Sequence, residues 1–184
     1  GLKMTDQGGG IFTFAMPGSK VRVQASFVPE NAPESELPFV DVDRSDWFYQ
    51  AVTYVYREGV MSGTTGTIFQ PAAPTTRGMI ATILHRLEGA PAAAAAAFGD
   101  VAAGQYYTDA VTWAAGKGIV LGYGDGSFGP NDPITREQLA AILYRFAGYK
   151  GHDVSAADSL SGFSDSASVS GYAVEAMGWA VQTG

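Results

Sequence analysis

Two arginines, Arg77 and Arg136, stand in the same local setting, each directly after a threonine, Thr76 or Thr135, that opens an apolar-periodic segment. A threonine at the N-cap leaves the arginine at the first helical position, beside backbone N–H groups with no partner inside the helix. A cation there opposes the helix dipole, and Asp or Glu would serve the helix better. The same unfavourable choice made twice points to an anion. A carboxylate or phosphate at a helix start takes backbone N–H bonds and a bidentate guanidinium fork together. The alternative is a protein acid as partner, Asp41 or Asp100, locking neighbouring segments together. Between the helices lie Gly63 and Gly122, with Tyr123, Asp125 and Ser127. Glycines there allow positive φ or a close backbone approach. The Tyr123 ring can either stack on the C–H face of a sugar or sit half buried in a rigid turn.

The elements that must position these groups occur in tandem. Phe39–Gly89 shifted by 59 positions falls on Phe98–Gly148 without a gap, and 18 of the 51 positions are identical. Chance gives about one in fifteen, so the repeat is real. A third copy starts at Phe163-Ser164-Asp165, where Tyr172 matches Tyr106, Trp179 matches Trp113 and Gly184 matches Gly118, half-way through the unit. Each unit reads as helix, loop, helix. The first helix is expected over 47–58 and 107–117, closed by Gly59 and Gly118 at C′. The second is expected from Thr76 or Thr135 to Gly89 or Gly148, with apolar stripes at Ile80, Ile83, Leu84, Leu87 and at Leu139, Ile142, Leu143, Phe146. Thr135 with Gln138 predicts a capping box, and Ile134 with Leu139 a hydrophobic staple. The first copy has Gly78 and Met79 instead, which predicts a cap weaker by about 1 kcal/mol. Trp47, Tyr106, Trp113, Tyr172 and Trp179, at helical spacing, are expected in the core. Arg86 and Arg145 sit near helix C-termini, where a cation is favourable.

Ahead of the repeats, residues 11–27 alternate with period two about Pro17-Gly18 and predict a β-hairpin. Residues 28–38 carry three prolines and three glutamates, which is linker chemistry. The expected organisation is a hairpin remnant over 1–28, a linker over 29–38, repeats over 39–90 and 91–148, and a link with half a third repeat over 149–184. The opening Gly1-Leu2-Lys3 reads as a piece of something longer.

Composition narrows the function. The 184 residues hold no cysteine, so disulfide scaffolds and cysteine-ligated metals are excluded. A net charge of −7 makes the chain a poor nucleic-acid binder. Apolar content of 46% suffices for a core, and no run of about 18 apolar residues spans a membrane. Gly124-Asp125-Gly126-Ser127-Phe128-Gly129 has the glycine spacing of a dinucleotide loop but follows a helix and precedes Pro130. Asp125 opens no calcium loop, because the required Glu is Arg136. His85 and His152 stand alone. No catalytic constellation, metal site or cofactor is expected.

Phe-x-Asp-Val, an aromatic–Ala–Val helix closed by Gly, and then the run 122–138 from Gly-Tyr-Gly-Asp-Gly to Pro-Ile-Thr-Arg-Glu-Gln resemble the S-layer homology family over about residues 39–184. The segment 12–27 separately resembles the closing strands of bacterial surface repeats. The family resemblance implies a mainly α fold, in which tandem helix–loop–helix repeats form a pseudo-threefold bundle whose third repeat is incomplete here. It implies an extracellular, cell-wall-associated module that binds secondary cell-wall polysaccharide carrying pyruvate ketals, in grooves between repeats. It also implies that the arginine of the Thr-Arg-Glu motif contacts the ligand. The expected ligand-binding set is Arg77, Arg136, Thr76, Thr135, Glu137, Gly63, Gly122, Tyr123 and Asp125. Gly63-Thr64-Thr65 and Arg77-Gly78-Met79 depart from the pattern, so Arg136 carries more of the expectation than Arg77. The rival reading is a self-assembly module, with a homo-oligomer formed through the incomplete third repeat.

Overall fold

Thr76 and Thr135 both cap their helices. Thr76 Oγ1 accepts from the Met79 N–H at 3.3 Å, and Thr135 accepts from Gln138 at the same distance. Gln138 Oε1 returns the bond to the Thr135 N–H, which completes the capping box. In the computed structural model, which describes residues 5–6, 12–13, 37–93, 98–155 and 158–183, these caps start two of five helices. They run α1 (Tyr49–Arg57), α2 (Arg77–Leu87), α3 (Thr108–Gly116), α4 (Arg136–Tyr149) and α5 (Val174–Thr183). Short 3₁₀ turns at Leu160–Gly162, Ser166–Ser168 and Gly171–Ala173 precede α5. The protein is mainly helical.

The chain divides into two compact units, Gly1–Glu36 and Leu37–Gly184. In the first, β1 (Thr5–Asp6) pairs antiparallel with β2 (Phe12–Thr13), Thr5 opposite Thr13. The pairing described for Phe12–Thr13 is therefore with Thr5–Asp6. The expected partner arm over 21–27 lies outside the described residues, as do 29–36 of the linker and 94–97 of the alanine run.

In the second unit, the second helix of one repeat packs on the first helix of the next. His85 of α2 meets Trp113 of α3 at 5.3 Å between ring centroids, and Tyr144 of α4 meets Trp179 of α5 at 5.8 Å. These pairs are repeat equivalents, His85 with Tyr144 and Trp113 with Trp179. The buried faces match the expected stripes in part: Leu84 and Ile142 are enclosed, and Ile80 and Phe146 pack against the core. On α2 the buried line is Gly78, Ala81, Thr82, Leu84 and His85, and on α4 it is Ala140, Ala141, Ile142 and Ala147. Leu87 and Leu143, expected inside, are exposed. Small side chains line the crossing because a helix carrying Trp113 or Trp179 must lie close against it.

The aromatic expectation divides for the same reason. Trp113 is 3% exposed, whereas Trp47 is 92% exposed, and Tyr106 and Tyr172 are also exposed. The main core lies between α2, α3 and the loop that follows α3, where Val111, Ile119, Val120 and Phe128 are fully enclosed.

Candidate functional site

The loop inside each of the first two repeats is tied by one carboxylate. Asp41 accepts from the Phe69 N–H at 2.9 Å and the Gln70 N–H at 2.7 Å. Asp100 accepts from Phe128 at 2.8 Å and Gly129 at 2.7 Å. The Phe69 amide is the main cause that holds Asp41 below its ordinary pKa. Burial pushes Asp100 up, but the Gly129 and Phe128 amides outweigh it and the net shift is downward. Both acids named as candidate arginine partners are thus engaged with loop backbone. Gly63 and Gly122 take φ of +77° and +71°, which both brings the loop back and admits the rings of Phe39 and Phe98.

The start of α2 is closed by the loop of the second repeat. The Arg77 N–H donates to Asp132 O at 3.0 Å, the Gly78 N–H to Pro130 O at 2.8 Å, and the Ile134 N–H to Thr75 O at 2.9 Å. Arg77 Nε donates to Phe128 O at 2.7 Å. Its guanidinium carbon lies 4.4 Å from the Tyr123 ring centroid and 4.7 Å from that of Phe128. Arg77 is 5% exposed. Carbonyl oxygens take the place expected for an anion, satisfying the helix N-terminus from within the protein. Gly78 permits this: a Cβ there would stand 2.7 Å from Pro130 O. The residue that weakens the cap in isolation is the one that lets the loop dock. Tyr123 donates to Asp132 Oδ2 at 2.8 Å, and burial, then this bond, raises its pKa.

Arg136 is different. It is exposed and makes no hydrogen bond or ion pair among the described residues. It borders a groove of about 600 Å³ walled by Leu139, Leu143, Phe163 and Met177. Its neighbour Glu137 reaches the third repeat instead: its two oxygens take the Ser170 N–H and Oγ at 2.9 Å each and the Tyr172 hydroxyl at 3.0 Å. The Ser170 amide is the main cause of its lowered pKa. Asp125 accepts from the Ser127 N–H at 2.9 Å and Oγ at 2.6 Å, a local turn. The Thr76 and Thr135 hydroxyls are occupied by their caps.

Of the expected ligand set, the fold brings Arg77 and Tyr123 together and leaves Arg136 open, while Glu137 and Asp125 hold the chain to itself. The partners Asp132, Pro130 and Phe128 act through backbone carbonyls, which leave no side-chain signature. The substitution of Glu137 by Gly78 at the equivalent position was the available clue. Among the described residues no group of three or more His, Asp or Glu is arranged to hold a metal, and no helix is long and apolar enough to cross a membrane.

The Glu137 clasp predicts a pH response. Its folded pKa lies below the ordinary value near 4.5, so its contribution is complete above that pH and disappears as pH falls through the lower folded value. Hydrogen exchange at the Ser170 amide should lose protection on acidification in this window, and Glu137→Gln should remove the pH dependence. Protection that is identical in both proteins would contradict the clasp.

Successive repeats of this helical unit share loops and helix starts, with α2 opening on carbonyl oxygens of the second repeat's loop. Comparison with known proteins finds that residues 38–78 and 97–140 match the S-layer homology domain. An endoglucanase of Bacillus sp. (strain KSM-635) is 32% identical over 169 residues, 84% of this chain and 17% of the relative. The S-layer protein sap of Bacillus anthracis is 30% identical over 107 residues, 57% of this chain and 13% of the relative. The outer membrane protein SlpA of Thermus thermophilus is 48% identical over 50 residues, 27% of this chain and 6% of the relative. The chain spans 17%, 14% and 9% of the length of three relatives. It is a cell-surface, cell-wall-associated chain, and its S-layer homology segments are envelope-anchoring modules.

Proposed function

We propose that this chain anchors its parent protein non-covalently to the bacterial envelope by binding a pyruvylated secondary cell-wall polysaccharide in grooves between repeats. The repeats bind and carry out no catalysis of their own. The observation that carries this reading is Arg136: an exposed guanidinium at a helix start, on the edge of a groove, with no protein acceptor among the described residues. A cation placed against the helix dipole without a partner is favourable when a ligand carboxylate takes the fork and the free N–H groups together. Gly122 and Tyr123 shape the loop at the contact of the first two repeats, where Tyr123 lies under Arg77.

The test is capture of isolated wall glycan, native or stripped of pyruvate. The native glycan should bind, the stripped one should not, and Arg136→Ala should weaken binding about tenfold. Equal capture of both glycans, or by the variant and the parent, would overturn it.

The self-assembly reading draws on the same groove, since Leu139, Leu143 and the exposed Phe163 form an apolar wall. Under that reading the protein's mass by light scattering rises with concentration and the Arg136 substitution leaves glycan capture unchanged.

A further inference from the structure

The first helix of the first repeat, α1, has an inner and an outer face. Tyr49 and Val52 pack inward on Phe39 and Val42 of their own repeat. Trp47, Ala51 and Tyr54, four and then three residues apart, form one stripe on the opposite side. All three are exposed, Tyr54 by 66%.

The other repeats show what this stripe meets elsewhere. Its equivalents are Tyr106, Ala110 and Trp113 on the second repeat, and Tyr172, Ala176 and Trp179 on the third. Ala110 and Ala176 are buried, Trp113 meets His85 of α2, and Trp179 meets Tyr144 of α4. Tyr106 and Tyr172 stand at the rim of the same contacts, Tyr106 beside Met79 of α2 and Tyr172 on Glu137 of α4. Trp47 is already set in the pose of Tyr106. Its ring stands edge-on to Phe48 at 5.5 Å, as that of Tyr106 stands to Tyr107 at 5.0 Å. Large aromatics grouped in water on an ordered helix mark an interaction surface. Within the chain α2 and α4 are taken by α3 and α5. Among the described residues, the open stripe of this kind that a second copy offers is therefore the same one.

We propose that two copies of this chain pair through α1, antiparallel about a twofold axis at Ala51. Alanine at the axis lets the helices approach closely, as Ala110 and Ala176 do inside the chain. The antiparallel order sets Trp47 of one copy alongside Tyr54 of the other. It also brings Arg57 at the end of one helix towards Asp46 at the start of the other, charges of opposite sign. Covering both aromatics on both copies removes about 600–1,000 Å² from water. Stable complexes bury ~1,200–2,000 Å², so the dimer is weak and forms at high local concentration. The pairing uses neither Arg136 nor its groove, so it stands apart from the glycan reading and from assembly through the third repeat.

The test is light scattering of the whole chain from about 1 to 500 μM. The mass should rise from monomer towards dimer and no further, because a twofold contact closes on itself. Ala51→Arg should move that rise to concentrations about tenfold higher, while Leu143→Arg, on the Arg136 groove, leaves it in place. The chain has no cysteine, so a single introduced thiol reports the contact. A disulfide needs Cα atoms within about 7 Å, which the axis provides. Ala51→Cys should give disulfide-linked dimers about tenfold faster than Ala102→Cys, an exposed position on the second repeat. All four positions are exposed, and circular dichroism checks that each variant keeps its helices. A monomeric mass at every concentration would overturn the pairing. If the Trp47 indole signal of that monomer also resists a soluble relaxation agent, the cover comes from the same chain. A mass rise abolished by Leu143→Arg and untouched by Ala51→Arg would overturn it too, and move the contact to the third repeat. Equal cross-linking rates for the two cysteine variants would overturn the axis at Ala51.

Discussion

Replacing Arg77 by alanine should lower the unfolding free energy by about 3 kcal/mol, read from urea denaturation followed by tryptophan fluorescence. The size follows from three losses. The bond from Nε to Phe128 O, at 2.7 Å, is charge-assisted and shielded from water, and such bonds contribute about 1.5–3 kcal/mol. The guanidinium also leaves the faces of Tyr123 and Phe128, each contact contributing about 0.5–1 kcal/mol or more. The Phe128 carbonyl then stays beside a fully enclosed ring without a donor. Lysine should recover less than half of the loss, because an ammonium cannot stack its plane on two rings while donating sideways. A change under about 1 kcal/mol would mean that Arg77 is not the tie between the first and second repeats.

The part of this tie that sequence reveals is local. Thr135-x-x-Gln138 predicts its capping box because all the partners lie within one turn. Gly122 predicts a special backbone because the loop must reverse within a few residues. Arg77 is recognisable as an oddity at a helix start, but its acceptor is a carbonyl 51 residues away, and a carbonyl carries no side-chain signal. The buried face of α2 is legible only in part for a related reason, Leu84 lying on the expected stripe and Gly78 off it. Leu87 is more apolar than Gly78 or Ala81, yet the neighbouring helix with Trp113 selects the side on which two helices can approach. Tyr54 and Trp113 occupy the same repeat position, yet Tyr54 is exposed and Trp113 is buried beside His85 of α2. Repeat identity therefore predicts which residues are equivalent, while the neighbouring repeat decides which equivalents are buried. Glu137 shows the same division: its place at a helix start is legible, but its use as a clasp on Ser170 and Tyr172 is a tertiary choice.

Gly122→Ala should be among the most damaging single substitutions in this unit, at about 3–5 kcal/mol in the same urea measurement. Two costs combine. Alanine at φ +71° loses about 1–2 kcal/mol through crowding of Cβ and the following carbonyl. The added Cβ would also overlap Ser127 O and stand 2.6 Å from Cε1 of Phe98. Neither neighbour yields easily. Ser127 O accepts from the Tyr123 N–H at 2.9 Å, and Phe98 stacks on Phe128 at 5.5 Å. Gly118→Ala supplies the control, since its φ is +69° but nothing lies within 4 Å of its Cβ, so it should lose only the conformational part, about 1–2 kcal/mol. Equal losses in the two variants would show that the close approach of Phe98 contributes nothing. The same loop presents Phe128 O to Arg77, so the double variant Gly122→Ala with Arg77→Ala should lose less than the two single losses added together. Strict additivity would mean that the turn at Gly122 and the arginine contact are independent, and that the loop does not carry strain in the second repeat to the helix start of the first.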